Sequence, residues 1–344
     1  MTSPEVDTLA PAAAVASGDG RAPEPAVSVR GLVKRFGEVE AVRGIDFDVA
    51  AGETFGFLGP NGAGKSTTIS VLCTLLAPDG GSARVAGHDV ARERGEVRRN
   101  IGLVFQDQTL DAYLTAAQNL RFHAELYGMP RAAVPDRMRQ VLEMVGLWER
   151  RESLVSTYSG GMRRRLEIAR GLMHSPRVLF LDEPTVGLDP QTRSSIWRYI
   201  EELRAAEEIT IFLTTHYMDE AEHCDRIAIM DQGRLIALNT PEALKQSVGK
   251  DRVQLEVEDP PAAIAALRER FGLEATIAEG RVTVAVPGGE AFVPRLFAEL
   301  GVPIRGVSVA RPSLDDVFMS YTGTTIRDAE AERHDPFAAM MRGR

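Results

Sequence analysis

The chain has 344 residues; about 150 residues is an ordinary domain, so two domains or one large domain with an appendage are expected. With 44% hydrophobic and 26% charged residues, the composition is globular, which excludes wholesale disorder and collagen-like, coiled-coil or mucin-like architectures. Lys+Arg 40 against Asp+Glu 49 leaves a net charge of -9, whereas a nucleic-acid binder more often carries a basic excess, so no nucleic-acid partner is expected.

Residues 1–26, rich in Ala, Pro, Gly and Ser, read as a disordered, flexible tail. Its Ala-rich stretch lacks a basic segment and carries Glu5, Asp7 and Asp19 nearby, which does not fit a secretory signal. Strands are expected from Val27, over Ile45–Val49 and over Thr54–Leu58. After Gly59–Thr67 the apolar period changes to that of a helix through Ile69, Leu72, Cys73 and Leu76. Ile101–Phe105, Val178–Leu181 and Ile209–Thr214 read as buried strands, with a helical segment at about 108–175 between the first two. Asp189 and Pro190 open a further helix as N-cap and first-turn proline. Ile227–Met230 and Leu235–Leu238 are short strands.

From about Lys250 the pattern restarts as an α+β unit of ferredoxin-like character over 250–321, after a first domain at 27–245. Residues 322–344 read as a second flexible tail. Cys73 and Cys224 stand alone, without the spacing of a disulfide framework or zinc site. No stretch reaches the ~18 apolar residues of a membrane span. A soluble protein is expected, its membrane contact made only through a partner.

Three segments carry chemistry. Gly59-Pro60-Asn61-Gly62-Ala63-Gly64-Lys65-Ser66-Thr67 fits GxxxxGK[ST] between a strand and a helix. Such a loop turns backbone N–H groups inward as an anion nest. Lys65 would reach the β- and γ-phosphates, and Ser66 would place a hydroxyl on Mg2+. Val178–Asp182-Glu183 is an apolar strand ending in two carboxylates; Asp182 suits Mg2+ and Glu183 suits polarising an attacking water. Tyr158-Ser159-Gly160-Gly161-Met162 opens a helix capped by Ser159, a second anion site in the same chain. One γ-phosphate does not need two such sites from one subunit; it can use one from each of two subunits.

These residues resemble the ATP-binding-cassette ATPases, in the family's order, over about 28–240. The resemblance implies an adenine-stacking aromatic at Phe36, a P-loop at Gly59–Thr67 and a glutamine loop at Gln106 that reaches the metal and the catalytic site. It implies a signature at Ser159–Met162, a Walker B strand at Val178–Glu183, a D-loop at Gly187-Leu188-Asp189 and a switch histidine at His216. Tyr158 and Met162 depart from the common Leu-Ser-Gly-Gly-Gln, and Met162 lacks an amide's donors. The arginines at 163–165 are expected on a solvated helix face, and His88, His123, His174, His223 and His334 are given no role.

Pro312-Ser-Leu-Asp-Asp-Val-Phe318 resembles the end of cassette subunits of the daunorubicin/doxorubicin-resistance type, which also often carry Tyr-Ser-Gly-Gly-Met. The expected architecture is a P-loop α/β core with an antiparallel portion, an inserted helical subdomain and a small α+β C-terminal domain. The implied activity is ATP hydrolysis with Mg2+, at the cytoplasmic face of the membrane, by an ATP-dependent homodimer bound to a separate permease exporting hydrophobic drugs. An importer or lipid or polysaccharide exporter ATPase, a non-transport ATPase and a small-molecule kinase remain competing readings.

Overall fold

The computed structural model describes residues 24–278 and 280–322. The two tails expected at 1–26 and 322–344 therefore lie almost wholly outside the described residues, although Ala26 is already buried. The chain divides into two compact units at Asn239/Thr240.

The first unit begins with β1 (Val27–Phe36) and β2 (Val39–Val49), followed by β3 (Thr54–Leu58) and α1 (Lys65–Leu72). Next come β4 (Gly80–Val85), β5 (His88–Asp89), α2 (Arg94–Asn100) and β6 (Ile101–Val104). Three α-helices follow, α3 (Ala116–Leu126), α4 (Val134–Met144) and α5 (Gly160–Leu172). The unit then alternates through β7 (Val178–Asp182), α6 (Pro190–Glu207), β8 (Thr210–Thr215), α7 (Met218–Ala221), β9 (Arg226–Asp231) and β10 (Arg234–Asn239).

An antiparallel sheet runs β2-β1-β4-β5, and a six-stranded sheet runs β10-β9-β3-β8-β7-β6. In the larger sheet β9, β3, β8, β7 and β6 are parallel and β10 is antiparallel at one edge. Strands β3 and β8 are buried at every position, the near-continuous burial typical of parallel strands covered on both faces. Phe47 of β2 joins the two sheets, its ring 5.6 Å from Phe55 and 6.0 Å from Phe212. Phe57 and Phe180 lie 5.0 and 5.3 Å from the same Phe212 ring, separations of favourable aromatic pairs. This apolar block fixes the heights of β3, β7 and β8, and hence of the loops at their carboxyl ends.

Apart from one isolated bridge, Thr115–Leu154, the regular elements described between 108 and 175 are helices, joined by loops and turns. Thr115 caps α3 in a capping box with Gln118, the local device that begins this segment. Strands β4 and β5 have no counterpart in the periodicity because Gly80, Gly81 and Gly87 interrupt it.

The second unit contains α8 (Pro241–Val248), β11 (Asp251–Val257), α9 (Pro260–Phe271), β12 (Ala275–Ala278), β13 (Arg281–Val286), α10 (Gly289–Glu299), β14 (Ile304–Ala310) and α11 (Leu314–Thr322). Its antiparallel sheet is ordered β12-β13-β11-β14. That order, with the succession βαββαβ, is ferredoxin-like. Val253, Leu255, Val282, Val284, Leu267 and Leu296 form its core.

The unit boundary differs from the sequence reading, which carries the first domain to 245. Helix α8 packs against α11, and Leu244 on α8 is buried, as are Leu314, Val317 and Phe318 on α11. The apolar stripe of α11 is thus occupied within its own unit. Phe318→Ala should lower the stability of this unit by about 3–5 kcal/mol, the cost of emptying a buried aromatic site. Native-state hydrogen exchange of β11 and β13 measures it; unchanged protection would show that the stripe is not part of this core.

Candidate nucleotide site

Four parallel strands end on one edge, the usual ligand-binding edge of an α/β sheet. Leu58 leads into Gly59, Val104 into Phe105 and Gln106, Asp182 into Glu183, and Thr215 into His216. The first of these loops closes sharply: Ala63 N–H donates to the Pro60 carbonyl, and Gly64 has φ +109° before α1. A side chain at Gly64 would meet the Ala41 carbonyl at 2.5 Å as well as adopt a strained backbone. Asn61, Gly62 and Ser66 face solvent, Thr67 is half-buried, and Gly59, Pro60, Ala63, Gly64 and Lys65 are buried.

Lys65 is 4% exposed. It donates to the carbonyls of Gly59 at 2.6 Å and Pro60 at 3.1 Å, and lies 3.7 Å from Glu183 Oε1. His216 Nδ1 is 3.3 Å from the same carboxylate oxygen. Burial alone would raise the Glu183 carboxyl. The His216 ring at that distance and the charge of Lys65 outweigh it and hold the group below the ordinary carboxylate range.

One residue earlier, Asp182 Oδ1 accepts from Ser66 Oγ at 3.0 Å and from Thr214 Oγ1 at 2.5 Å. These are hard oxygen donors of the kind that hold Mg2+ through one carboxylate, a hydroxyl and nucleotide phosphates. Among the described residues no group of three or more His, Cys, Asp or Glu forms a protein-only metal cage.

Phe36 ends β1 with half its surface exposed, the Lys34 ammonium 5.6 Å from its ring centre. Gln106 is exposed just past β6. Ser159 and Asp189 belong to a second cluster, built where α5 and α6 begin. Ser159 Oγ accepts from Met162 N at 3.2 Å, and Asp189 accepts from the N–H and hydroxyl of Thr192 at 3.0 and 2.6 Å. Gly160 lies against Leu188, and a side chain at Gly161 would meet Thr192 at 2.5 Å. Close approach of the two helix starts thus requires a glycine there. Gly161, Ser159 and Thr192 border a cavity of ≈ 220 Å³.

The arginines of α5 are not a solvated face. Arg163 donates to Gln108 and the Tyr158 carbonyl, and Arg165 to Tyr199 and the Val145 carbonyl. Arg164 is 7% exposed. On a helix packed on several sides, consecutive long side chains find separate acceptors distant in sequence, which a charge run does not disclose. Glu220 is also unforeseen: buried, it accepts from Thr185 and Thr215 Oγ1, and Arg193 lies 3.8 Å away. It braces the segments after β7 and β8 against each other. The only sequence signal for it is an acidic residue on a short helix just after His216.

The family profile described as ABC transporter matches residues 42–186. The profile for the C-terminal domain of DrrA1-3-like ATP-binding proteins matches 240–322. The daunorubicin/doxorubicin resistance ATP-binding protein DrrA of Streptomyces peucetius is 41% identical over 320 residues, 90% of this chain and 96% of that protein.

The chain belongs to the ATP-binding subunits of ABC transporters.

The Nod factor export ATP-binding protein I of Ralstonia nicotianae is 38% identical, covering 90% of this chain and 98% of its own. A dimeric ATP-binding cassette solved in a post-hydrolysis state with ADP and phosphate superposes with a TM-score of 0.57. That pair is 26% identical, over 62% of this chain and 98% of the other. This cassette is accordingly a nucleotide-binding ABC ATPase, and among its described residues no helix is long and apolar enough to cross a membrane.

The Glu183 geometry carries a pH signature. A carboxyl lowered on folding stabilises the protein above its unfolded value, near 4.5, and that contribution disappears as pH falls through the lower folded-state value. Wild type should therefore exceed Glu183→Gln in nucleotide-free stability near neutral pH, with the gap closing below pH 4.5. Urea denaturation at several pH values reads this; a gap that widens on acidification would contradict the ion pair.

Proposed function

We propose that this chain is the ATP-hydrolysing subunit of an exporter that drives a drug or other hydrophobic small molecule through a separate permease. The observation that carries the reading is the convergence of Lys65, Glu183 and His216 beside Asp182 and Ser66. Phosphate binding, metal binding and water activation then lie within one side chain of each other.

Lys65 and the loop amides would hold the β- and γ-phosphates. Ser66, Asp182 and Gln106 would hold Mg2+, which supplies charge neutralisation to the phosphates when bound. Glu183, ionised at neutral pH, orients the attacking water and accepts its proton. His216 steadies Glu183 and contacts the γ-phosphate, and Phe36 offers a face to the adenine.

Ser159, Gly160 and Gly161 open a thirteen-residue helix, whose N–H groups suit the γ-phosphate of a second copy. Met162 contributes its backbone N–H to the Ser159 cap rather than a side-chain donor. Two copies would close head-to-tail around two nucleotides, with Asp189 at the junction. Exposed Phe122 and Leu126, one turn apart on α3, suit docking to an apolar permease element at the cytoplasmic face. The C-terminal match to the DrrA type favours export of a drug over import. The comparable similarity to a Nod factor exporter supports the second reading, another amphipathic cargo.

Glu183→Gln should bind ATP normally while turnover falls ~100-fold or more, as when a general base is lost. Steady-state phosphate release with calorimetric binding measures both, and wild-type turnover would refute the assignment. In that slow variant, ATP should shift the chain to a dimer in sedimentation. Adding Ser159→Arg should keep it monomeric by placing a bulky cation at the partner's γ-phosphate; a dimer in both would remove Ser159 from the interface.

A further inference from the structure

Glu183 stands in a left-handed conformation, φ +45°, which a residue with a side chain holds only when its surroundings impose it. Its N–H is held by Thr214 Oγ1 at 3.0 Å. Its carbonyl is held by a residue of the helix that begins at Ser159. Arg164 donates from one terminal nitrogen to the carbonyls of Asp182 and Glu183, both at 3.1 Å, and from Nε to that of Pro184 at 2.6 Å. Its other terminal nitrogen reaches the Phe105 carbonyl and Glu167. Glu167 is fully buried and accepts from the N–H of Thr109 at 2.8 Å.

We propose that Arg164 is a positioning residue for ATP hydrolysis, locking the backbone that presents Glu183 to the helix carrying Ser159 and to the segment containing Gln106. The proposal rests on the reading of Glu183 as the water-activating carboxylate. Three consecutive carbonyls, 182–184, converge on one planar cation, a task for the rigid fork of arginine that a lysine's single ammonium cannot reproduce. Phe105 and Thr109 flank Gln106, so the same arginine–glutamate pair fixes both ends of that exposed segment. A buried ion pair is by itself weak evidence for stability. Here its donors are directed at the backbone of the residues that converge on the nucleotide site.

The test uses the purified full-length chain and MgATP turnover. Arg164→Gln should lower kcat about tenfold or more while KM stays within about twofold, the signature of a defect in the chemical step rather than in binding. Arg164→Lys should restore less than half of the loss. Arg164→Gln added to Glu183→Gln should cause no further fall in single-turnover rate, because the arginine acts through the glutamate. The charge-neutral pair Arg164→Gln with Glu167→Gln avoids a stranded buried carboxylate and carries the test should the single variant fail to fold.

Wild-type kcat in a folded Arg164 variant, a change confined to KM, or an additive fall in the Glu183→Gln background would each overturn the proposal. So would unfolding of the neutral pair, which would make the arginine a stability element. These results leave an inactive Glu183→Gln, and with it the reading of the site, intact. Wild-type turnover in Glu183→Gln itself would instead overturn both.

Discussion

A primary ammonium sealed from water must be surrounded by oxygen atoms, and that requirement organises the site around Lys65. Two loop carbonyls and one carboxylate meet it. For those oxygens to be present, β3 must end beside β8 and β7, one strand further, must end at the same level. The register pairs Leu58 with Thr215 and Asp182 with Thr214, so the two carboxylates and His216 arrive at the height of the phosphate loop. The aromatic block under β3, β7 and β8 is therefore part of the site's construction as well as of the fold's stability.

The same edge divides labour between adjacent carboxylates. Asp182 takes hydroxyl donors, whereas Glu183 has the Lys65 ammonium and the His216 ring beside it. The backbone turns left-handed at Glu183, and Thr214 serves both residues: its hydroxyl donates to Asp182 and accepts from the Glu183 N–H. One β-branched side chain at a strand end thus couples the metal-facing and water-facing carboxylates of the proposed mechanism. Its hydroxyl has one donor and two acceptor positions, and the donor and one acceptor are committed.

Much of this was legible before any coordinates. The strand–glycine loop–helix order, the apolar strand ending in Asp182-Glu183 and the Ser159 cap are local patterns, each dictated by residues within a few positions. The ferredoxin-like unit was legible for the same reason, since its alternating valines and its Asp259-Pro260 helix start are local. Buried partners of long charged side chains were not. Arg164 meets Pro184 twenty residues away and Phe105 fifty-nine away, and Glu220 meets Thr185 at thirty-five. In sequence such residues look like surface charge, because hydropathy records the head group and not the distant carbonyl that neutralises it. The extent of β4 and β5 and the allegiance of α8 were hidden likewise, the first by glycines and the second by a tertiary contact with α11.

The second helix start, at Ser159, would give the proposed assembly its logic. Ser159 satisfies one of the N-terminal amides of α5, and a capped helix start still directs the remaining N–H groups and the positive end of its dipole outward. Asp189 caps α6 alongside, so two helix starts converge where Gly161 lets the helices approach. A γ-phosphate from a second copy would answer both at once, and the cost of leaving two helix starts facing solvent would be recovered only in the closed, nucleotide-bound pair. ATP would then act as the adhesive between subunits, and departure of the cleaved phosphate, which carries away the charge those amides recognise, would release them. On the proposed reading the exporter's stroke would need no separate trigger, because the group that is cleaved would also be the group that holds the two copies together.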